Sequence, residues 1–308
     1  MNENNNNDFQ QYHNSIKNIY KCEIDVLEYN IESLIFNSLD KQSILENGFY
    51  KKDQFKPGIL NKFLIESSNR IMFNMFYPLI KKFNRENKIS IENVEFDQVH
   101  FEWNNQLIFV SPIDVLLISS KSKVLYFLEC KHLEPMSNDK FQFSNTYLEI
   151  LKNKGYNNIY DFLVPYIEKY DCLNNNNLLF YGAGISQNLR QLMSIMVNKG
   201  KFQESKKPYQ FTNYILDINP DFNTYDIWFG NLLYFDNFDD NQAGKYFIEN
   251  HEFSDNIRED LLKFGIKIKS PITYKTIFKS SKTTYDSIKN NYTLSEYLEH
   301  NYFKNLQK

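Results

Sequence analysis

The alternation of apolar and polar positions divides the chain into an Asn-rich start, a helical stretch, a block of strands, a polar insertion and a mixed remainder. Residues 1–11, MNENNNNDFQQ, offer almost nothing to bury and are expected to form a disordered tail. From Tyr12 to Leu45 the pattern is broadly helical. Between Pro57 and Phe83, the residues Leu60, Phe63, Leu64, Ile71, Met72 and Met75 recur at helical spacing, and Pro57 suits a helix start. Residues 89–132 change period. The runs IENVEFDQVHFEW, QLIFV, IDVLLIS and KVLYFLECKH are rich in β-branched and aromatic residues and separated by short polar turns, which predicts an antiparallel meander. IDVLLIS and VLYFLEC are almost continuously apolar, as expected of central strands covered on both faces.

A polar insertion follows over about 138–177, with helices expected around TYLEILKNK and IYDFLVPYIEKY. In ISQNLRQLMSIMVNKG, the residues Ile185, Leu189, Leu192, Met193 and Met196 form one face of an amphipathic helix that is predicted to end at Gly200. Gly182-Ala183-Gly184 lacks the further glycines and lysine of a phosphate-cradling loop and reads as a turn before that helix. FTNYILDI reads as a core strand, and the stretch from DIWFGNLLYFDN to LSEYLEHNYF is less regular. The expected fold is α/β, a central mixed β-sheet flanked by helices. One domain over 12–308 would comprise a core at about 57–217, the helical insertion and a C-terminal extension at about 218–308.

Composition narrows the class. With 42% hydrophobic and 17% aromatic residues in 308, the chain has ample material for a core. No apolar run is long enough to span a bilayer, and the N-terminus lacks the basic and apolar segments of a signal peptide, so a cytoplasmic protein with no membrane association is expected. Cys22, Cys130 and Cys172 are odd in number and far apart, which suggests reduced thiols rather than disulfides or a structural zinc site. The net charge of −3 is not that of an overall basic nucleic-acid binder, so any such binding must use a local patch and be salt-sensitive.

The candidate chemistry lies on the two most apolar strands. Asp114 sits at the start of one, and Glu129 and Lys131 lie near the end of the next. Residues i and i+2 of a strand face the same way, so Glu129 and Lys131 share a face while Cys130 points to the other. A hairpin of the two strands would set Asp114 alongside them. Charges at the end of such strands require compensation, and a divalent cation held by two carboxylates and a backbone carbonyl supplies it. Such a site suits phosphodiester hydrolysis, with Lys131 orienting water or steadying developing negative charge. The competing explanation for Glu129 and Lys131 alone is an ordinary salt bridge at a sheet edge. His132 should point away from the site, and His100, between acids on its strand, reads as structural.

This arrangement resembles the PD-(D/E)XK nuclease superfamily, the restriction-endonuclease-like fold, over about residues 57–217. Asp114, in Pro112-Ile113-Asp114, matches the first acid with one residue standing between proline and aspartate, and Glu129-Cys130-Lys131 matches the tripeptide. The resemblance implies catalysis by Asp114, Glu129 and Lys131, with Mg²⁺ (Mn²⁺ as a substitute) held by Asp114, Glu129 and the carbonyl of Cys130. It also implies an extra acidic ligand at Glu66 on the preceding helix, and support or phosphate contact from Gln187 and Arg190, which match a QxxR pattern. The expected function is metal-dependent hydrolysis of nucleic acid by an endonuclease of restriction, defence or repair type, with DNA preferred to RNA. Since one such site cuts one strand, double-strand cleavage would call for a homodimer or two sequential events. The alternatives are a catalytically silent nuclease-like module that binds nucleic acid or a protein, and an unrelated scaffold in which Asp114 lies far from Glu129.

Overall fold

The computed structural model of the chain describes residues 68–79, 86–103, 111–131, 143–175, 183–204, 224–233, 255–288 and 293–303. The tail at 1–11, Glu66, His132, the strand expected at 211–218 and the whole of QLIFV lie outside the described residues.

Helix α1 (Ser68–Phe76) buries Ile71, Met72, Met75 and Phe76 and tightens into a 3-10 turn at Tyr77–Leu79. The run read as one strand from Ile91 to Trp103 is divided. Strands β1 (Ile89–Ile91) and β2 (Val94–Phe96) form a separate hairpin, and β3 (Gln98–Trp103) belongs to the main sheet. The hairpin turn is only Glu92 and Asn93, both at positive φ (48° and 65°), the backbone that matches the twist of a two-residue hairpin. β4 (Ile113–Ser119) and β5 (Val124–Lys131) follow, and β3-β4-β5 is the expected antiparallel meander.

The polar insertion forms α2 (Asn145–Asn153) and α3 (Asn157–Asn175). The amphipathic helix α4 runs from Ala183 to Glu204, so Ala183 and Gly184 open the helix rather than form a turn, and Gly200 lies inside it rather than ending it. Strand β6 (Asp226–Leu233) pairs in parallel with the whole of β5, from Val124↔Asp226 to Lys131↔Leu233. After α5 (Asp255–Lys263), the short strands β7 (Ile266–Ile268) and β8 (Ile272–Thr273) pair in parallel with the two halves of β6. The sheet thus runs β3-β4-β5-β6-β7, with β8 also on β6. It continues well past the span of 57–217 drawn for the core, because residues read as an extension supply the second partner of the central strand β5.

Parity along the strands gives each face its cover. Leu116, Ile118, Leu125, Phe127, Ile227 and Phe229 pack under α2, α3, α4 and α5. Val115, Leu117, Tyr126, Leu128, Cys130, Trp228 and Leu232 pack against α1, the β1-β2 hairpin and the helices α6 (Tyr274–Ser280), α7 (Lys282–Ser287) and α8 (Leu294–Leu298). The layers are therefore helix, mixed sheet, helix, an α/β architecture. The hairpin is tied to the C-terminal helices by Ser281, whose Oγ accepts from Ser90 N at 2.8 Å, and by Thr284, whose hydroxyl donates to Lys88 O at 2.8 Å. Tyr285 donates to Met75 O at 3.0 Å and so joins these helices to α1. Among the described residues, no helix is long and apolar enough to cross a membrane.

Candidate active site

The site forms where β4 begins and β5 ends. The β4-β5 register, Val115↔Leu128 and onward in steps, brings Asp114 to the level of Glu129. The contact is direct: Asp114 Oδ2 accepts the N–H of Cys130 at 2.7 Å, the amide that joins Glu129 to Cys130. Asp114 therefore lies beside Glu129, not at the distance that the unrelated-scaffold alternative predicted.

Glu129 is 1% exposed. The Lys131 ammonium lies 2.6 Å from its Oε1, an ion pair without hydrogen-bond alignment, and Gln191 Nε2 donates to its Oε2 at 2.6 Å. The same Gln191 nitrogen donates to Pro112 O at 2.9 Å. One carboxamide on α4 thus clamps the entry to β4 against the end of β5. The lysine tip keeps partial access to water, its side chain being 18% exposed, so the carboxylate is sealed while its cation opens outward.

Cys130 faces the opposite layer, as strand parity predicts, and its thiol is buried among the aromatic residues there. Burial, then the nearby carboxylates of Asp114 and Glu129, push its pKa well above the usual thiol range, so it remains a neutral thiol and no nucleophile. His100, on β3 opposite Leu116, is desolvated to a pKa of about 4 and is uncharged at neutral pH, which fits the structural role expected of it.

On α4, the side chain that reaches Glu129 is that of Gln191. Gln187, four residues earlier and partly buried, shares its helix face, and the Arg190 guanidinium lies 5.9 Å from the centre of the Tyr147 ring on α2. Gln191 escaped the sequence reading because, directly after Arg190, it reads as part of the polar side of the helix, whereas it is fully buried. The signal was its spacing from Gln187 and its place on the buried side of an amphipathic helix. A second missed residue is Asn231, paired in parallel with Glu129, a lone carboxamide in the otherwise apolar strand interior IWFGNLL.

Comparison with protein-family models, curated proteins and solved structures returned no match. The functional reading therefore rests on the residues and their geometry.

The donor set can be tested against a divalent ion. No group of three or more His, Cys, Asp or Glu side chains gathers at one point among the described residues. Two carboxylates on neighbouring strands nevertheless suffice for Mg²⁺, which is usually held by one or two carboxylates, with water and substrate phosphate completing its octahedron. The hard oxygens of Asp114, Glu129 and the Cys130 carbonyl fit that preference and would not favour a soft ion.

Proposed function

We propose that the chain is a Mg²⁺-dependent nuclease of the PD-(D/E)XK type, with DNA as its preferred substrate. The observation that carries this reading is the convergence of Asp114, Glu129 and Lys131 around one peptide unit at the open end of the central strand pair. The layered mixed sheet, with an antiparallel meander followed by helices and a parallel strand, supports a restriction-endonuclease-like core.

In this reading, Asp114 and Glu129 hold the ion with the Cys130 carbonyl. Bound there, the ion supplies Lewis-acid polarisation of the scissile phosphate and a lowered pKa for attacking water. Lys131 presents its ammonium at the water-accessible side of the sealed Glu129 carboxylate, where it can orient a nucleophilic water and offset charge developing on the phosphate. Gln191 keeps the Glu129 carboxylate in one orientation and ties it to the backbone at Pro112, so the two strands cannot drift apart as the substrate binds. Gln187 and Arg190 remain assigned to support or phosphate contact along α4, Glu66 to an additional acidic ligand, and double-strand cutting to a homodimer.

The test is cleavage of supercoiled and linear DNA, with structured RNA in parallel, in Mg²⁺ or Mn²⁺, using wild type and Lys131→Ala and an EDTA control. Metal-dependent cleavage by wild type alone is the expected result. Equal cleavage by both would remove the chemistry from this site.

One observation favours a second reading. Both Glu129 oxygens already have partners, Lys131 and Gln191, in a closed and charge-balanced arrangement. A catalytically silent nuclease-like module would have that arrangement permanently. It predicts no cleavage and no stabilisation by divalent ions, whereas the nuclease reading predicts cleavage and stabilisation alike.

A further inference from the structure

We infer that Asn231 is a further side-chain ligand of the metal site, contributing its Oδ1 oxygen from strand β6. The inference rests on the proposed metal-dependent reading and extends it to a residue far along the chain from the Asp114 and Glu129 pair.

Three observations carry it. First, β6 lies directly beside β5, and the register places Asn231 opposite Glu129. Parallel partners at one register position project to the same side of the sheet, so Asn231 and Glu129 share the face under α4. The parity agrees, since Ile227 and Phe229, four and two residues earlier, pack in that layer. Second, Asn231 is 7% exposed, and its Oδ1 is buried with no hydrogen-bond partner. Buried polar atoms are nearly always satisfied, and a lone acceptor in such a place calls for a missing donor or cation. Third, the donors placed at Glu129 are engaged. Glu129 and Asp114 are acceptors, and the nearby donors Lys131 and Gln191 are directed at Glu129. A cation held by the carboxylates would also give the Asn231 oxygen its missing partner.

The chemistry is consistent. A carboxamide oxygen is a hard, neutral ligand that suits Mg²⁺ and Mn²⁺ beside carboxylates and adds no negative charge to an already anionic site. The neighbouring Gly230 shows how closely this segment is packed: a Cβ there would lie 2.9 Å from the hydroxyl of Tyr126, on the opposite face from Asn231. The backbone carrying Asn231 therefore has little room to shift, and the carboxamide is held at a defined place.

The experiment is calorimetric titration of Mn²⁺ into the full chain, without nucleic acid, for wild type, Asp114→Ala, Asn231→Leu and Asn231→Asp. Thermal melts in EDTA check that each variant folds. Expected are abolished binding in Asp114→Ala, affinity lowered about tenfold or more in Asn231→Leu, and affinity retained or raised in Asn231→Asp, which keeps the oxygen and removes the amide donor. Equal weakening by Leu and Asp would mean that Asn231 acts through its N–H groups and would overturn the ligand assignment. Unchanged affinity in Asn231→Leu, with Asp114→Ala silent, would overturn this inference alone and leave the metal site standing. Absence of Mn²⁺ binding in wild type would overturn the metal-dependent reading itself. Should Asn231→Leu fail to fold, the comparison of Asn231→Asp with wild type decides: a loss of affinity there sinks the assignment.

Discussion

Removing the Lys131 ammonium should destabilise the fold through Glu129, and the amount can be worked from the geometry. The Glu129 side chain is 2% exposed and that of Lys131 18%, with 2.6 Å between Nζ and Oε1. Breaking a fully buried pair costs about 3–5 kcal/mol, because the remaining charge is stranded. Here the lysine end meets water, and Gln191 still donates to the other carboxylate oxygen, so Lys131→Met should cost about 2–3 kcal/mol. Glu129→Gln should cost less, about 1 kcal/mol, since the released lysine can extend into solvent on its alkyl stem. The double variant leaves neither charge behind, so its cost should fall short of the sum by about 1–2 kcal/mol. Urea denaturation at pH 7 with EDTA present measures all four corners of the cycle, and repetition in half-molar salt tests the burial. A buried pair is screened little, so the coupling should survive. Additivity within about 0.5 kcal/mol, or a coupling erased by salt, would refute the claim that Glu129 depends on Lys131 for its charge balance.

Three further outcomes follow from the structure. Gly230→Ala would set a Cβ 2.9 Å from Tyr126 Oη and 3.3 Å from Cε2, against a ring held between Phe96 and Trp228, so it should cost about 1–3 kcal/mol in urea melts. Tyr126→Phe removes the nearer atom and should recover part of that loss in the double variant; no recovery would locate the strain elsewhere. His100 has its pKa lowered to about 4 by desolvation, so between pH 6.5 and 4 the unfolded state binds the additional proton and stability falls as the pH falls through that window. The full shift corresponds to roughly 3 kcal/mol and, discounted for the partial exposure of the ring, to about 1–2; a urea midpoint that drops between pH 7 and 5 equally in wild type and His100→Gln would contradict it. Asp114→Asn keeps an oxygen that can accept from Cys130 N but loses the charge, so cleavage should fall by about a hundredfold or more while the melting temperature stays close to wild type. A large drop in melting temperature would assign Asp114 to the fold first.

The strands of the meander and the position of the acids were legible because charged residues interrupt runs that are otherwise wholly apolar. Glu129 and Lys131 stand out from VLYFL, and strand parity alone placed Cys130 on the far side. What stayed hidden depended on partners distant in the chain. Nothing local in DIWFGNLL says that it lies against VLYFLECK, since both are buried along nearly their whole length and a parallel pair leaves no hairpin turn to announce it. The β1-β2 hairpin was hidden for a different reason. Glu92 and Asn93 adopt positive φ, whereas the usual signal for such a turn is a glycine. Gly200 misled because a glycine within a helix costs only about 1 kcal/mol, which the packing of the helix as a whole can outweigh. Gln191 was concealed by standing next to Arg190, as if on the polar side of its helix, although it is fully buried and makes the contact that links α4 to the site.

The parallel pairing of β5 with β6 also sets an order of events during synthesis. By the time Lys131 has been made, one edge of β5 can pair with β4, but its other edge must wait for Asp226–Leu233. At roughly 5–20 residues per second that delay is on the order of 5–20 s, during which an apolar strand presents open backbone groups to other nascent chains. Asn231 arrives on that same late strand. In a growing chain, Asp114 and Glu129 on β4 and β5 therefore meet before Asn231 on β6 can join them.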